Sequence, residues 1–262
     1  MNNEFNPDDH PHVWHYTSIN SLVNGLIEED GNLCFWASHR QYLNDPMETI
    51  LGVDLRDRLI NEKSLKIKYG KATPDIFIVS FSLSPDILPM WNMYGGNGNG
   101  IMLKLDSKLL NVKEYSMYHM EYDTIEVINQ IENKLDDNLN STFTEGCPED
   151  TCSRESAVVL GEILITANLP EKIKSNSYQY ENEVRISHTT DIQHSLKDIK
   201  YRCSNGVIIP YMEFRFLKEA LKEITIGPTN DFERSKFSLK MFLDSKELGD
   251  VKISKSEVPY RG

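Results

Sequence analysis

Between Phe77 and Leu105 the rhythm of apolar and polar positions changes three times. Phe77, Ile78, Val79 and Phe81 interleave with Ser80, Ser82 and Ser84, which predicts a buried strand carrying hydroxyls at its end. Pro85 and Pro89 bracket a turn, and a short helical segment then places Met90, Trp91 and Tyr94 within one turn of each other. The run Gly95-Gly-Asn-Gly-Asn-Gly100 breaks that helix as a flexible loop, its Gly and Asn residues supplying the positive φ a tight reversal needs. A second strand, Ile101 to Leu105, follows. The same pattern also describes a core strand, a core Trp and a hairpin-like loop, and both readings stand at this point.

On either side of this stretch the pattern alternates between strand and helix. His12 to Tyr16 predicts a first strand; Thr17 or Ser18 then caps a helix through Ile27, with Ile19, Leu22, Val23, Leu26 and Ile27 on its apolar side. Leu33 to Ala37 is a second strand, and Asn44-Asp45-Pro46 is a turn signal. Residues 50–68 are helical and amphipathic. Tyr115 to Tyr122 alternates as a strand, Thr124 to Asn140 is a charged helix, 143–154 is a polar loop, and Ser156 to Asn168 is a buried helix. Tyr178 to Ile186 alternates as a strand. Strands over Gly206 to Pro210, Ile224 to Gly227 and Val251 to Ser254 alternate with helices over Phe214 to Lys222 and Asp231 to Leu243.

This interleaving lacks the regular strand–helix repeat of a doubly wound fold, and no dinucleotide fingerprint or phosphate-binding Lys-Ser/Thr follows the glycines. The expected organisation is a disordered N-terminus over residues 1–11 and a single α+β domain over 12–262. Its 39% hydrophobic and 26% charged residues are those of a soluble globular protein. The 28 Lys and Arg stand against 40 Asp and Glu, a net charge of −12, which disfavours extended nucleic-acid binding. With no signal peptide and no membrane-length apolar run, the expectation is a cytoplasmic protein without a membrane partner. Its four cysteines (Cys34, Cys147, Cys152, Cys203) are then free thiols in a reducing compartment, and their spacing lacks the paired Cys-x-x-Cys clusters of structural zinc. Seven scattered histidines without ligand-like spacing give no reason to expect a metal.

Three strand positions carry candidate chemistry. His15, Tyr16 and Thr17 end the first strand; Ser80 and Ser82 share one strand face, with Phe81 on the other. In Glu181-Asn-Glu-Val-Arg185, the alternation puts Glu181, Glu183 and Arg185 on one face and Val184 and Ile186 on the other. Carboxylates two residues apart raise one another's pKa, Arg185 restrains that shift, and such a carboxylate can bond a sugar hydroxyl. A half-buried strand-end His, ladder-edge serines and a solvated charge ladder account for the same residues without chemistry.

His15-Tyr-Thr-Ser18, Phe35 through Asn44-Asp-Pro-Met-Glu48, Ser80-Phe-Ser82, Met90-Trp-Asn-Met-Tyr94 with Gly100, Glu181-Asn-Glu-Val-Arg-Ile186 and Ser256-Glu-Val-Pro-Tyr-Arg261 resemble, in that order, the bacterial family catalogued as domain of unknown function 2971. More distantly, a strand-end His, a serine strand followed by an aromatic-bearing helix, and a late Glu-x-Glu strand are similar to the ADP-ribosyltransferase superfamily. That resemblance implies two small antiparallel sheets, split and packed together with flanking helices, that grip NAD. It implies His15, with Tyr16 beside it, on the adenosine ribose, Ser80 or Ser82 supporting the nicotinamide end, and Tyr94 or Trp91 stacking on the nicotinamide. Glu183, with Glu181 upstream, would bond the ribose as nicotinamide leaves. NAD is then the substrate, with no metal, and the acceptor is a protein side chain, a nucleic acid, a small molecule or water. Ser-Phe-Ser stands where the superfamily usually has Ser-Thr-Ser, and the Asn44-Asp45-Pro46 block has no counterpart. The family's company implies a role in phage defence or as a toxin-like effector; the alternative is a non-enzymatic module that binds a ligand or a protein.

Overall fold

The computed structural model describes residues 5–44, 75–123, 125–127, 129, 133, 172–190, 196–204 and 206–260. They fall into two compact units, one comprising Met1–Asn3, Leu43–Thr73 and Met120–Gln179, the other Glu4–Tyr42, Pro74–His119 and Tyr180–Gly262. The helices expected over 50–68 and 156–168, the 143–154 loop, Asp45, Pro46, Cys147 and Cys152 lie outside the described residues.

The second unit holds every described strand: β1 (His12–Thr17), β2 (Leu33–His39), β3 (Asp75–Ser82), β4 (Ile101–Asp106), β5 (Ser116–His119), β6 (Glu183–Thr190), β7 (Lys200–Ser204), β8 (Val207–Phe216), β9 (Leu221–Ile226) and β10 (Lys252–Lys255). Hydrogen bonding joins them in one sheet, in the order β10-β9-β4-β1-β3-β2-β8-β7, with β6 also on β3 and β5 on β6. The mixture of a large sheet and a few helices agrees with the α+β class. Where two small packed sheets were expected, the described strands form a single sheet that forks.

The fork is at β3. One edge pairs with β6 along its whole length, from Asp75↔Thr190 to Ser82↔Glu183. The other edge is shared, with β2 at Ser38↔Ile78 and His39↔Phe77, and with β1 at Trp14↔Ser82. Between these footholds β1 and β2 part. The core lies on one face, where Val13, Phe35, Ala37, Phe77, Val79, Phe81, Leu103, Leu105, Val184 and Ile186 are all buried. Alternation along each strand sends Ser80, Ser82, Glu183 and Arg185 to the opposite face.

Local signals account for most of the helices. Ser18 Oγ accepts from the Ser21 N–H and starts α1 (Ile19–Ser21), which runs on as a wider π turn through Leu26. Pro89 sits in the first turn of α2 (Leu88–Met93), where its missing N–H costs nothing. Asp106 caps α3 (Ser107–Leu110), and Asp231 caps α4 (Phe232–Ser245) through the Arg234 N–H. The Gly95–Gly100 run is a packed turn rather than a flexible loop: the Gly100 N–H donates to Gly95 O at 2.8 Å, and a Cβ on Gly100 would run into the Thr17 carbonyl.

Two predicted elements are corrected. Phe214 to Lys222 was expected to be helical but completes β8, makes a 3-10 turn at Lys218–Ala220 and opens β9. The pairing of β8 with β2 and of β9 with β4 overrides helix-favouring Leu, Lys, Glu and Ala. The strand expected from Tyr178 begins only at Glu183: Asn176–Glu181 is a 3-10 turn, and Asn182 at φ 43° makes the break. Ahead of β1, Phe5 is buried, and its N–H donates to Met117 O at 3.2 Å. In the other unit, residues 125–127, 129 and 133 are helical, Asp123 caps their start, and Glu121 bridges to Ile173. No helix of the described residues is long and apolar enough to cross a membrane.

Candidate functional site

β3 sets the site, because it carries the serines and holds β1 and β6 on its two edges. Ser82 and Glu183 face each other across the β3–β6 ladder, as do Ser80 and Arg185, so these four side chains share one face at one end of the sheet. Glu183 and Arg185 are both buried. Arg185 Nε donates to Glu183 Oε1 at 2.8 Å and Nη2 donates to Oε2 at 3.2 Å. A carboxylate in so dry a place depends on such a partner, since an isolated buried charge is costly.

Glu181 precedes the strand and is also buried. Tyr94, at the end of α2, donates its hydroxyl to Glu181 Oε1 at 2.7 Å. Ser82 is committed to the same turn: its Oγ donates to Glu181 O at 2.6 Å and accepts from the Ser84 N–H at 3.0 Å. Ser80 differs. Its Oγ is half-buried and has no hydrogen-bond partner among the described residues.

Tyr16 and Trp91 form the apolar wall beside this corner, with Met90 and Met102. The Tyr16 hydroxyl donates to Ser84 O and accepts from the Ile87 N–H, both at 3.1 Å. Burial pushes its pKa up to about 12. Trp91 is fully enclosed, its ring meeting Tyr16 edge-on at 5.1 Å, so it presents no open face for stacking. Tyr94 is half-buried and next to a carboxylate.

His15 goes elsewhere. Because Trp14 pairs with Ser82, Trp14 and Tyr16 point to the serine face, and His15 points to the core face. There its ring stands edge-on to Phe35 at 5.1 Å and tilted against Phe81 at 5.6 Å. It occupies the fork, where its Nδ1–H donates to the Ser80 carbonyl at 2.9 Å and replaces a missing ladder bond. A carbonyl only accepts, so the proton sits on Nδ1 and Nε2 of the neutral ring is an acceptor. Burial pushes its pKa down, against the opposing effect of the Ser80 bond.

One organising residue escaped the sequence pattern. Asp86, at φ 50°, accepts from Trp91 Nε1–H at 2.8 Å, Ser256 Oγ–H at 2.6 Å and the Glu257 N–H at 2.7 Å. It ties α2 to the chain end, and the only signal for it was an Asp following Pro85 in a turn. Among the described residues no group of three or more His, Cys, Asp or Glu is arranged to hold a metal. Cys34 is buried, with its pKa pushed up to about 11 by burial, and Cys203 is exposed. A pocket of about 310 Å³ lies apart from these residues, lined by Glu28, Lys108, Arg215 and Phe216 among others.

A family model described as "Protein of unknown function (DUF2971)" matches residues 90–186. The match supports the resemblance over that stretch, which includes Trp91, Tyr94, Glu181, Glu183 and Arg185. No curated protein and no solved structure matches the chain.

Proposed function

We propose that the serine face of β3 and β6 binds NAD and cleaves its nicotinamide–ribose bond, as an ADP-ribosyltransferase or NAD glycohydrolase does. The observation that carries this reading is the register Ser82↔Glu183 with Ser80↔Arg185, which gathers hydroxyls and a buried carboxylate at one end of the sheet. Tyr94 and Glu181 adjoin them through their 2.7 Å bond. The fork between β1 and β2 supports a split, ADP-ribosyltransferase-like sheet.

In this reading Glu183 accepts a ribose hydroxyl. As the C–N bond breaks, neutral nicotinamide leaves with the bonding pair and the ribose becomes oxocarbenium-like. A fixed negative charge in a water-poor corner stabilises that positive charge. Tyr94 flanks the ring that leaves. Water as acceptor gives ADP-ribose and a proton; any other nucleophile gives transfer.

The buried Glu183–Arg185 pair also favours a second reading, a binding module in which the pair fixes the strand end and no bond is cleaved. Incubation with NAD, following nicotinamide release by wild type and Glu183→Gln, separates the two. Release that Glu183→Gln abolishes supports the enzyme. A thermal shift with NAD but no release leaves the binding module, and neither signal removes NAD from both readings.

A further inference from the structure

The serine face of the sheet continues past β3 onto β2, β8 and β7, and there it carries a second constellation. Ser38 pairs with Ile78 on one side and with Tyr211 on the other, so Trp36, Ser38 and Tyr211 share the face of Ser80. Trp36 and Ser80 each lie two residues from the Ser38–Ile78 pair, on the side where the strands part. Trp36 stacks on Tyr211 with ring centroids 4.9 Å apart and planes 30° apart. Tyr211 is buried, yet Trp36 remains 40% exposed. Its indole N–H has no hydrogen-bond partner among the described residues. Gly25 lies beside Cζ2, Cε2 and Nε1 of the ring, where a Cβ would come within 2.7 Å of Cζ2.

Arg202 completes the group. It pairs with Ile209, which puts it on the same face, and its Nη2 donates to Ser38 Oγ at 2.8 Å. Its Nε is buried without a hydrogen-bond partner, and no carboxylate of the described residues pairs with it. The neighbouring cations are used differently: Lys200 and Arg215 both bond Glu213. In a chain of net charge −12, a guanidinium left uncompensated beside an exposed, rigidly backed indole asks for an anion and a planar ring together.

We infer that Trp36, backed by Tyr211, is the stacking platform for a purine nucleotide, with Arg202 the cation for its phosphate. The purine supplies the π face and ring-nitrogen acceptors for the indole N–H, and the phosphate supplies the counter-charge for the half-buried Arg202 guanidinium. The inference rests on the nucleotide reading above and extends it: Trp36 takes the adenine half, on the side where His15 was expected to hold the adenosine ribose. The stack is held in place before binding, so little ordering is lost when the base lands.

The test uses adenosine monophosphate, which has no bond for the proposed chemistry to break. Titration of the full chain is followed by tryptophan fluorescence and, in parallel, by calorimetry. The expected result is binding that quenches the wild type, weakened about tenfold or more in Trp36→Ala and only partly in Trp36→Phe. Arg202→Gln is expected to weaken the monophosphate but not adenosine. Gly25→Ala, which crowds the ring, is expected to weaken both. Thermal melts confirm that each variant is folded, and exposure of Trp36 makes that outcome the expected one. Equal affinity in wild type and Trp36→Ala, or no binding to wild type, overturns the inference. Nicotinamide release from NAD with an unchanged KM in Trp36→Ala overturns it as well, while leaving the cleavage reading intact. Monophosphate binding through Trp36 without NAD cleavage sustains the platform and removes the enzyme.

Discussion

The two faces of β3 solve opposite problems. On one, Phe77, Val79 and Phe81 meet Val184 and Ile186 in an apolar core. On the other, Ser82, Glu183, Arg185 and Ser187 are equally buried but polar. Burial stabilises the first face for the area it removes from water, whereas each group on the second must find a partner. The core face therefore explains why the strand exists. The polar face needs a further reason, and buried charge at the end of a strand is where function is sought.

The largest effects test that contrast directly. Phe77→Ala should cost about 3–5 kcal/mol in urea unfolding, from lost transfer energy and a cavity. Arg185→Met should cost a similar amount, about 3–5 kcal/mol, because it takes the guanidinium away from the buried Glu183 carboxylate. The two differ in rescue. Adding Glu183→Leu to Arg185→Met should recover most of the loss, since an apolar pair can replace a buried ion pair. No second substitution across the ladder should do this for Phe77→Ala. Failure of the rescue would mean that the pair holds more than itself.

A smaller effect is expected at Asp86, whose carboxylate gathers Trp91, Ser256 and Glu257. Asp86→Ala should cost about 1–3 kcal/mol by leaving the buried Trp91 N–H unpaired, with a change in tryptophan emission. Unchanged emission would show that Asp86 does not hold α2.

The smallest effect is in pH dependence. Burial keeps the His15 pKa below its ordinary 6.5, so the unfolded chain takes up the proton first. Its contribution is fully present above about pH 6.5 and is lost as pH falls through the lower folded value. His12 and His119 shift in the same direction, so the measurement is the difference between wild type and His15→Gln. A shallower loss of stability below pH 6.5 in the variant is expected, and identical slopes would place His15 in a wetter setting than the fork.

Much of the core face was legible from alternation alone: Phe77 to Ser82 and Val184 to Ile186 fall on the faces the pattern gives them. The start of α1 at Thr17 or Ser18 was legible for the same local reason, and the structure puts the cap at Ser18. The site was legible only in part. Alternation assigns His15 a side of β1, but only the Trp14–Ser82 register shows that this side is opposite to Glu183. Trp91 and Trp36 are the same residue type, yet one is enclosed and the other exposed, which depends on what packs around them. The strand from Leu221 was hidden by residues with helical preference that tertiary pairing overrides. The bond from Tyr94 to Glu181 spans 87 residues and has no local signal.

If the polar face of β3 is a ligand face, Ser80, half-buried and with no hydrogen-bond partner for its hydroxyl among the described residues, is the position that reports on it. Calorimetric titration with NAD, comparing wild type and Ser80→Leu, tests this, with the melting temperatures compared as well because Ser80 faces Arg185 across the ladder. Binding to the wild type that disappears in a Ser80→Leu protein of similar melting temperature is the expected result. Equal affinity in the two proteins, or no heat of binding in the wild type, would contradict it.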